Sequence, residues 1–363
     1  MAENTKKQDL ATGAELTLEE KINKIKSREI TEAEKNMLTL PAFEAACEAV
    51  KKVTQETGLI YSKYFSDHTG NKIYFKPENM QLTGAYKLRG AYYTIGTLTE
   101  EERQRGLITA SAGNHAQGVA YAAQCYGVKA VIVMPTTTPL IKVERTKAYG
   151  AEVVLYGDVY DDAYSKAMEL SSEHGYTFIH PFDDECVIAG QGTIGLELLN
   201  QLPDVEAVVV PIGGGGLISG IAYALKSLKP DVKVYGVQAQ GAPSMLRSIE
   251  KAQRECLTSV STVADGIAVK EPGEHTFEIC SKYVDGIVTV TEDEICAAIL
   301  ALMEQQKLIA EGAGAVAVAA AMFNKVPVAG KKTICVVSGG NIDVTILSRV
   351  ISRGLDMSGR TYT

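Results

Sequence analysis

The 363-residue chain has no excess of basic residues, no paired cysteines and no apolar run long enough to span a membrane, and each absence excludes a class of function. Its 36 Lys and Arg against 44 Asp and Glu leave a net charge of −8, with the cations scattered, so nucleic acid and anionic membranes lack the basic face they would need. Seven cysteines (Cys47, Cys125, Cys186, Cys256, Cys280, Cys296 and Cys335) form no Cys-x-x-Cys pair and no zinc spacing. They read as small buried hydrophobes in a reducing cytoplasm. The start of the chain is polar and charged without the apolar stretch of a secretory signal, and residues 1–35 read as a polar leader. The longest apolar run, 313–323, is Ala-rich and short, which predicts a buried core helix.

The usual nucleotide motifs are missing as well. Residues 206–220 run from an apolar strand through Gly213, Gly214, Gly215 and Gly216 into a helix that opens at Leu217. Without Cβ atoms, backbone N–H groups can converge there, and the helix start adds the positive end of its dipole, so an anion is the natural guest. Counted from Gly213, the last glycine of Gly-x-Gly-x-x-Gly would be Ile218, and the strand that follows carries Gln238 where a ribose-binding enzyme puts an acid. A triphosphate loop would also need a Lys that is absent. A small phosphate ester remains, or a turn whose glycines serve only close packing.

Strand and helix signals alternate along the chain, the mark of an α/β protein with mainly parallel sheets covered by helices. Strands are expected at 72–76, 107–109, 128–134, 151–156, 176–179, 207–212, 232–239, 286–290 and 332–337. Capping boxes at Thr99 with Glu102 and at Thr291 with Glu294 open helices, and Gly106 stops one. With 46% hydrophobic residues, two domains are expected: a larger one from 36–105 with 184–353, a small one of three strands at 106–183, and a tail at 354–363. A site using both Lys87 and the glycine loop then lies in the cleft between them, at strand carboxyl ends.

Lys87 sits among aromatic, aliphatic and glycine neighbours in Gly84-Ala-Tyr-Lys-Leu-Arg-Gly-Ala91. Desolvation there lowers an amine's pKa, and a lysine must lose its proton to attack a carbonyl. By itself it reads as a surface lysine packed on Tyr86. Together with a phosphate cradle it is the combination that pyridoxal 5'-phosphate demands. Residues Ser111, Ala112, Gly113, Asn114 and His115 open another helix with small residues, leaving N–H groups free for a carboxylate. Asn114 adds an amide for a phenolic oxygen, or is a plain helix cap. His115 reads as structural. Ser338, in Ser-Gly-Gly-Asn341, puts a hydroxyl at a strand tip, where it either meets a pyridine nitrogen or is part of an ordinary turn.

These motifs, with Ile188-Ala-Gly-Gln-Gly-Thr193, Ala264-Asp-Gly-Ile-Ala268, Glu311-Gly-Ala-Gly314 and Ser338-Gly-Gly-Asn-Ile-Asp343, span about residues 40 to 353. In that order they resemble the threonine/serine dehydratases of the tryptophan-synthase-β-like, fold type II pyridoxal-phosphate enzymes. The resemblance implies a lyase that converts threonine, and serine, to a 2-oxo acid and ammonia by Cα-proton abstraction and β-elimination. It implies Lys87 as the Schiff-base lysine, Gly213 to Leu217 as the phosphate loop, Asn114 at the cofactor's 3′-oxygen, Ser338 at the pyridine nitrogen and residues 111–115 at the substrate carboxylate. Tyr86 stands where the family has Phe. Ala112 stands where the related serine racemases carry a proton-shuttling Ser, which argues against racemisation; β-replacement is the other alternative in this fold. Where relatives hold a divalent ion with carboxylates, this chain has Gln238, Ala242 and Ser244, oxygen donors suited to a monovalent ion such as potassium. A homodimer or homotetramer and a nucleotide effector are also implied, and residues 347–363 resemble the segment that leads into an amino-acid-sensing domain in some relatives.

Overall fold

The computed structural model describes residues 38–360; the expected leader lies outside them. Ten strands form two sheets: β1 (Ile60–Tyr61), β2 (Lys72–Pro77), β3 (Leu107–Ala110), β4 (Ala130–Met134), β5 (Glu152–Leu155), β6 (Thr177–Phe178), β7 (Ala207–Pro211), β8 (Lys233–Ala239), β9 (Gly286–Val290) and β10 (Lys332–Val337). The larger sheet has the order β1-β2-β10-β7-β8-β9 and the smaller β5-β4-β3-β6. Only β1 is antiparallel to its neighbour.

The parallel strands read as continuous apolar runs because helices cover both faces: β3, β4 and β7 are buried at every residue. Each expected strand is present within two residues of its bounds. The smaller sheet has four strands, since Leu107–Ala110 pairs in its middle, between β4 and β6. Strand β1 went unforeseen; two residues leave no alternation to detect. Both capping boxes form, and Gly106 ends its helix at φ 103°. The Ala-rich run is the helix Gly312–Met322, buried from 312 to 321 behind the larger sheet. The final helix, Val344–Met357, runs past 353, and Gly354 packs against the Cys296 carbonyl (2.9 Å from a Cβ placed there).

Cys47, Cys125, Cys256, Cys280, Cys296 and Cys335 are free thiols. Cys186, Cys280, Cys296 and Cys335 are buried as expected, but Cys125 and Cys256 are exposed. No helix among the described residues is long and apolar enough to cross a membrane.

Candidate active site

Parallel pairing delivers the motifs to one edge. Adjacent strands β10 and β7 end at Val337 and Pro211, so Ser338 and the glycine loop emerge side by side. The segment before Lys87 is tied to the one after β10: Tyr86 N–H donates to the Ser338 carbonyl (3.2 Å), Gly340 N–H to the Gly84 carbonyl (2.9 Å), and Ala85 bridges Gly339. Residues 111–113 follow β3 in the other sheet, and helix Asn114–Tyr126 packs so closely on Lys87 that a Cβ at Gly118 would lie 3.1 Å from its carbonyl carbon. Lys87, residues 111–114, Gly213 and Asn341 are each partly exposed. Ion pairs Lys142–Asp265 (2.9 Å) and Lys270–Asp161 (3.1 Å) cross from the helices of one sheet to the loops of the other.

Lys87 Nζ donates to the Pro181 carbonyl at 2.6 Å and lies 5.4 Å from the Tyr86 ring centroid. No carboxylate pairs with it among the described residues, and burial lowers its pKa from 10.5 to about 8. Burial, then the charge of Glu311, pushes the Tyr86 hydroxyl up. The Pro181 carbonyl belongs to residues 180–184, a loop the sequence offered only as Pro and paired Asp. His180 Nδ1 accepts from Phe182 N–H (3.2 Å) and Asp183 N–H (2.8 Å), while Asp183 accepts from the N–H groups of Glu274 and Thr276.

The glycine cradle is packed from behind. A Cβ on Gly214 would collide with the Phe182 ring, one on Gly216 would lie 2.8 Å from the Phe182 carbonyl, and one on Gly213 3.1 Å from Ile267 Cα. Gly215 adopts φ 102°, a conformation that favours glycine. Thr276 Oγ1 donates to the Gly214 carbonyl at 2.6 Å. Close packing is therefore served here. Helix Gly216–Leu228 has no side-chain cap and no acid in its first turn, so its leading N–H groups remain available to an anion.

Asn114 is the first residue of its helix, and its side chain does not cap it. Its Nδ2 donates to Glu311 Oε1 (2.5 Å) and its Oδ1 accepts from Asn341 Nδ2 (2.8 Å). Gly113 N–H donates to Ser111 Oγ (3.2 Å). Ser338 Oγ donates to the Ala313 carbonyl at 3.3 Å. His115 is structural: its Nε2 meets the Ile179 carbonyl (3.0 Å), and burial, reinforced by Lys87, depresses its pKa to about 3. Glu311 and Asn341 had no assigned role in the sequence reading, although an acid opening an otherwise apolar helix was a visible signal. Burial, with the charge of Asp265, raises Glu311 to about 7 against the Asn114 hydrogen bond and Lys142.

At Gln238, Oε1 accepts from Leu246 N–H (2.9 Å), whereas Gln238 Nε2 and Ser244 Oγ are buried without partners. Ala242 is buried beside them. Among the described residues no group of three or more His, Cys, Asp or Glu could hold a metal.

An amine without a countercharge among the described residues, bonded to the carbonyl of Pro181 next to the Phe182 that packs on an uncapped glycine cradle, fits a phosphorylated aldehyde such as pyridoxal phosphate. The comparisons with known proteins agree. Residues 50–340 match the family described as pyridoxal-phosphate dependent enzyme. The chain is 54% identical over 324 residues to an L-threonine ammonia-lyase of Thermotoga maritima, covering 89% of this chain and 80% of that protein. It is similar to the solved structure of the processed form of threonine deaminase isoform 2 from Solanum lycopersicum (TM-score 0.83, 43% identity, 88% of each chain). It is also similar to maize serine racemase (TM-score 0.82, 32% identity, 88% of this chain and 98% of that one). A match of that span, with a relative sharing more than half of its aligned residues, means that the chain belongs to the pyridoxal-phosphate dependent enzymes.

Proposed function

We propose that the chain is an L-threonine ammonia-lyase, converting L-threonine to 2-oxobutanoate and ammonia and L-serine to pyruvate and ammonia. The carrying observation is the amine of Lys87, held by one main-chain carbonyl with no carboxylate beside it among the described residues. Bound pyridoxal phosphate supplies a ring that takes up the electrons left at Cα of an amino acid. Lys87 would hold its aldehyde and Gly213 to Leu217 its phosphate, with Asn114 at its phenolic oxygen, Ser338 at its ring nitrogen and Tyr86 lining the site.

The uncapped helix start at residues 111–115 binds the substrate carboxylate and thereby orients Cα. Once the substrate's amino group takes its place on the aldehyde, the freed, neutral Lys87 Nζ takes the Cα proton, as general bases poised near working pH do. Ser338 offers a neutral hydroxyl, which does not hold a ring nitrogen protonated as a carboxylate would, and this favours loss of the β-hydroxyl over return of the proton. Ala112 has no group to carry a proton, so racemisation is disfavoured although maize serine racemase shares the fold.

The two sheets are read as two domains divided near residues 106 and 183, where the chain enters and leaves the smaller sheet. Gln238, Ala242 and Ser244 are read as a monovalent-ion site, supported by the unpartnered Ser244 hydroxyl. The family resemblance supports a homodimer or homotetramer with a nucleotide effector. Light scattering, and turnover with potassium or sodium and with adenine nucleotides, check these points.

The central test is product analysis. The protein loaded with pyridoxal phosphate is expected to release 2-oxobutanoate from L-threonine without forming D-serine from L-serine. Lys87→Ala is expected to abolish both turnover and borohydride trapping of the cofactor. A wild-type protein that stays colourless with pyridoxal phosphate would overturn the reading.

A further inference from the structure

The hydrogen bonds around Asn114 determine which end of its side-chain amide faces which neighbour. Asn341 Nδ2 lies 2.7 Å from the Thr83 main-chain carbonyl, which can only accept, so that atom of Asn341 is the amide nitrogen. The same nitrogen lies 2.8 Å from Asn114 Oδ1, and both of its hydrogens are thereby used. Asn114 must then present oxygen to Asn341 and nitrogen to Glu311, whose Oε1 is 2.5 Å away. A carboxyl keeps Oε1 as an acceptor whether or not its other oxygen is protonated. Turning the Asn114 amide over would set two donors face to face at Asn341 and two acceptors face to face at Glu311. Each favourable contact would become a repulsive one.

One hydrogen of Asn114 Nδ2 is left with no protein acceptor among the described residues. The backbone makes room for this chain of amides: a Cβ on Gly84, at φ 74°, would collide with Asn341, and one on Gly339 would collide with Glu311. Both glycines belong to the motifs that carry Lys87 and Ser338. Asn341 also takes its bearing from Thr83, on the backbone stretch that leads to Lys87, so the orientation of Asn114 is referenced to the lysine.

We infer that Asn341 and Glu311 are positioning residues that lock Asn114 as a hydrogen-bond donor toward the phenolic oxygen of pyridoxal phosphate. The inference rests on Asn114 being the ligand of that oxygen. A locked donor stabilises the ionised phenolic oxygen, whereas a freely turning amide would present its carbonyl part of the time and repel it.

The experiment reads the cofactor without substrate: the absorption band of the loaded protein between pH 6 and 9, and the affinity of the apoprotein for pyridoxal phosphate by fluorescence titration. Asn114→Ala is expected to shift the band and weaken binding roughly tenfold or more, the loss of one hydrogen bond to a charged atom. Asn341→Ala and Glu311→Ala should shift the band in the same direction with a smaller loss of affinity. Glu311→Gln, which can still offer an acceptor, should restore the wild-type band. If Asn341→Ala does not fold, Asn341→Asp keeps the volume, turns an acceptor toward Asn114 Oδ1 and should shift the band likewise. Wild-type bands and affinities in folded Asn341 and Glu311 variants, beside a shifted Asn114→Ala, overturn the positioning role. An unshifted Asn114→Ala overturns instead the ligand assignment beneath it.

Discussion

Lys76 and Lys87 lie close in sequence, and both are crowded by protein, yet their surroundings differ in kind. Lys76, at the end of β2, donates to the Thr57 carbonyl (2.6 Å), Glu197 Oε2 (2.6 Å) and Gln201 Oε1 (3.4 Å). Beside it, fully buried Arg89 bonds both oxygens of Glu78 (2.8 and 2.9 Å), both of Glu197 (2.6 and 3.0 Å) and Thr193 (3.0 Å). Burial works against the Arg89 charge, but Glu78 and Glu197 outweigh it and raise its pKa. Among the described residues Lys87 meets one carbonyl and no carboxylate. A buried cation saturated by carboxylates keeps its charge and cross-links the fold. One left with a carbonyl finds its charged form disfavoured, and its amine becomes available for chemistry.

Four measurements would break or sharpen this contrast. The largest effect belongs to Lys87→Met, which should lower turnover by on the order of 10³ or more, the scale of losing a positioned base together with the cofactor's anchor, while leaving the melting temperature near wild type. If Lys76→Met in folded protein were equally inactive, the two lysines would not differ as described. Next, Arg89→Met strands the Glu78 carboxylate in the interior and should cost about 3–5 kcal/mol in denaturant unfolding. A variant as stable as wild type would show the cluster to be no cross-link. Third, the apoprotein should take up pyridoxal phosphate at a rate that rises with pH, is half-maximal near pH 8 and levels off above it, because the neutral amine attacks. A rate still climbing toward pH 10 would mean that Lys87 is solvated like an ordinary lysine.

The smallest effect concerns His115, which faces the Lys87 side of the contrast. Its folded pKa is depressed to about 3, so between there and about 6.5 the unfolded chain binds a proton that the folded one does not. Stability is therefore fully present above about pH 6.5 and declines as pH falls. His115→Gln should flatten that decline; an unchanged acid profile in the variant would show that this imidazole takes up a proton while folded.

Much of the frame was legible before the structure. Apolar runs alternating with helix signals located the parallel strands, because a strand buried on both faces tends to be apolar throughout, and Thr ahead of Glu marked two helix starts by chemistry confined to four residues. The four glycines and the small-residue helix start were readable for the same reason: their meaning is local to the backbone. Strand β3 was seen but left out of the smaller sheet, since its partners β4 and β6 come later in the chain and nothing in Leu107–Ala110 names them.

What the sequence determined by itself, then, is the set of elements apart from β1, together with a glycine loop and a lysine of the kind that a phosphorylated aldehyde would need. Only the tertiary structure decided which buried lysine is paired and which is isolated. Lys76 finds Glu197 across more than a hundred residues, and Lys87 finds the Pro181 carbonyl at a similar separation. It likewise decided the bearing of Asn114, set by Glu311 and Asn341 from distant segments. Periodicity and capping act within a few residues, whereas the pKa of an amine and the orientation of an amide depend on whichever groups folding brings within a few ångströms.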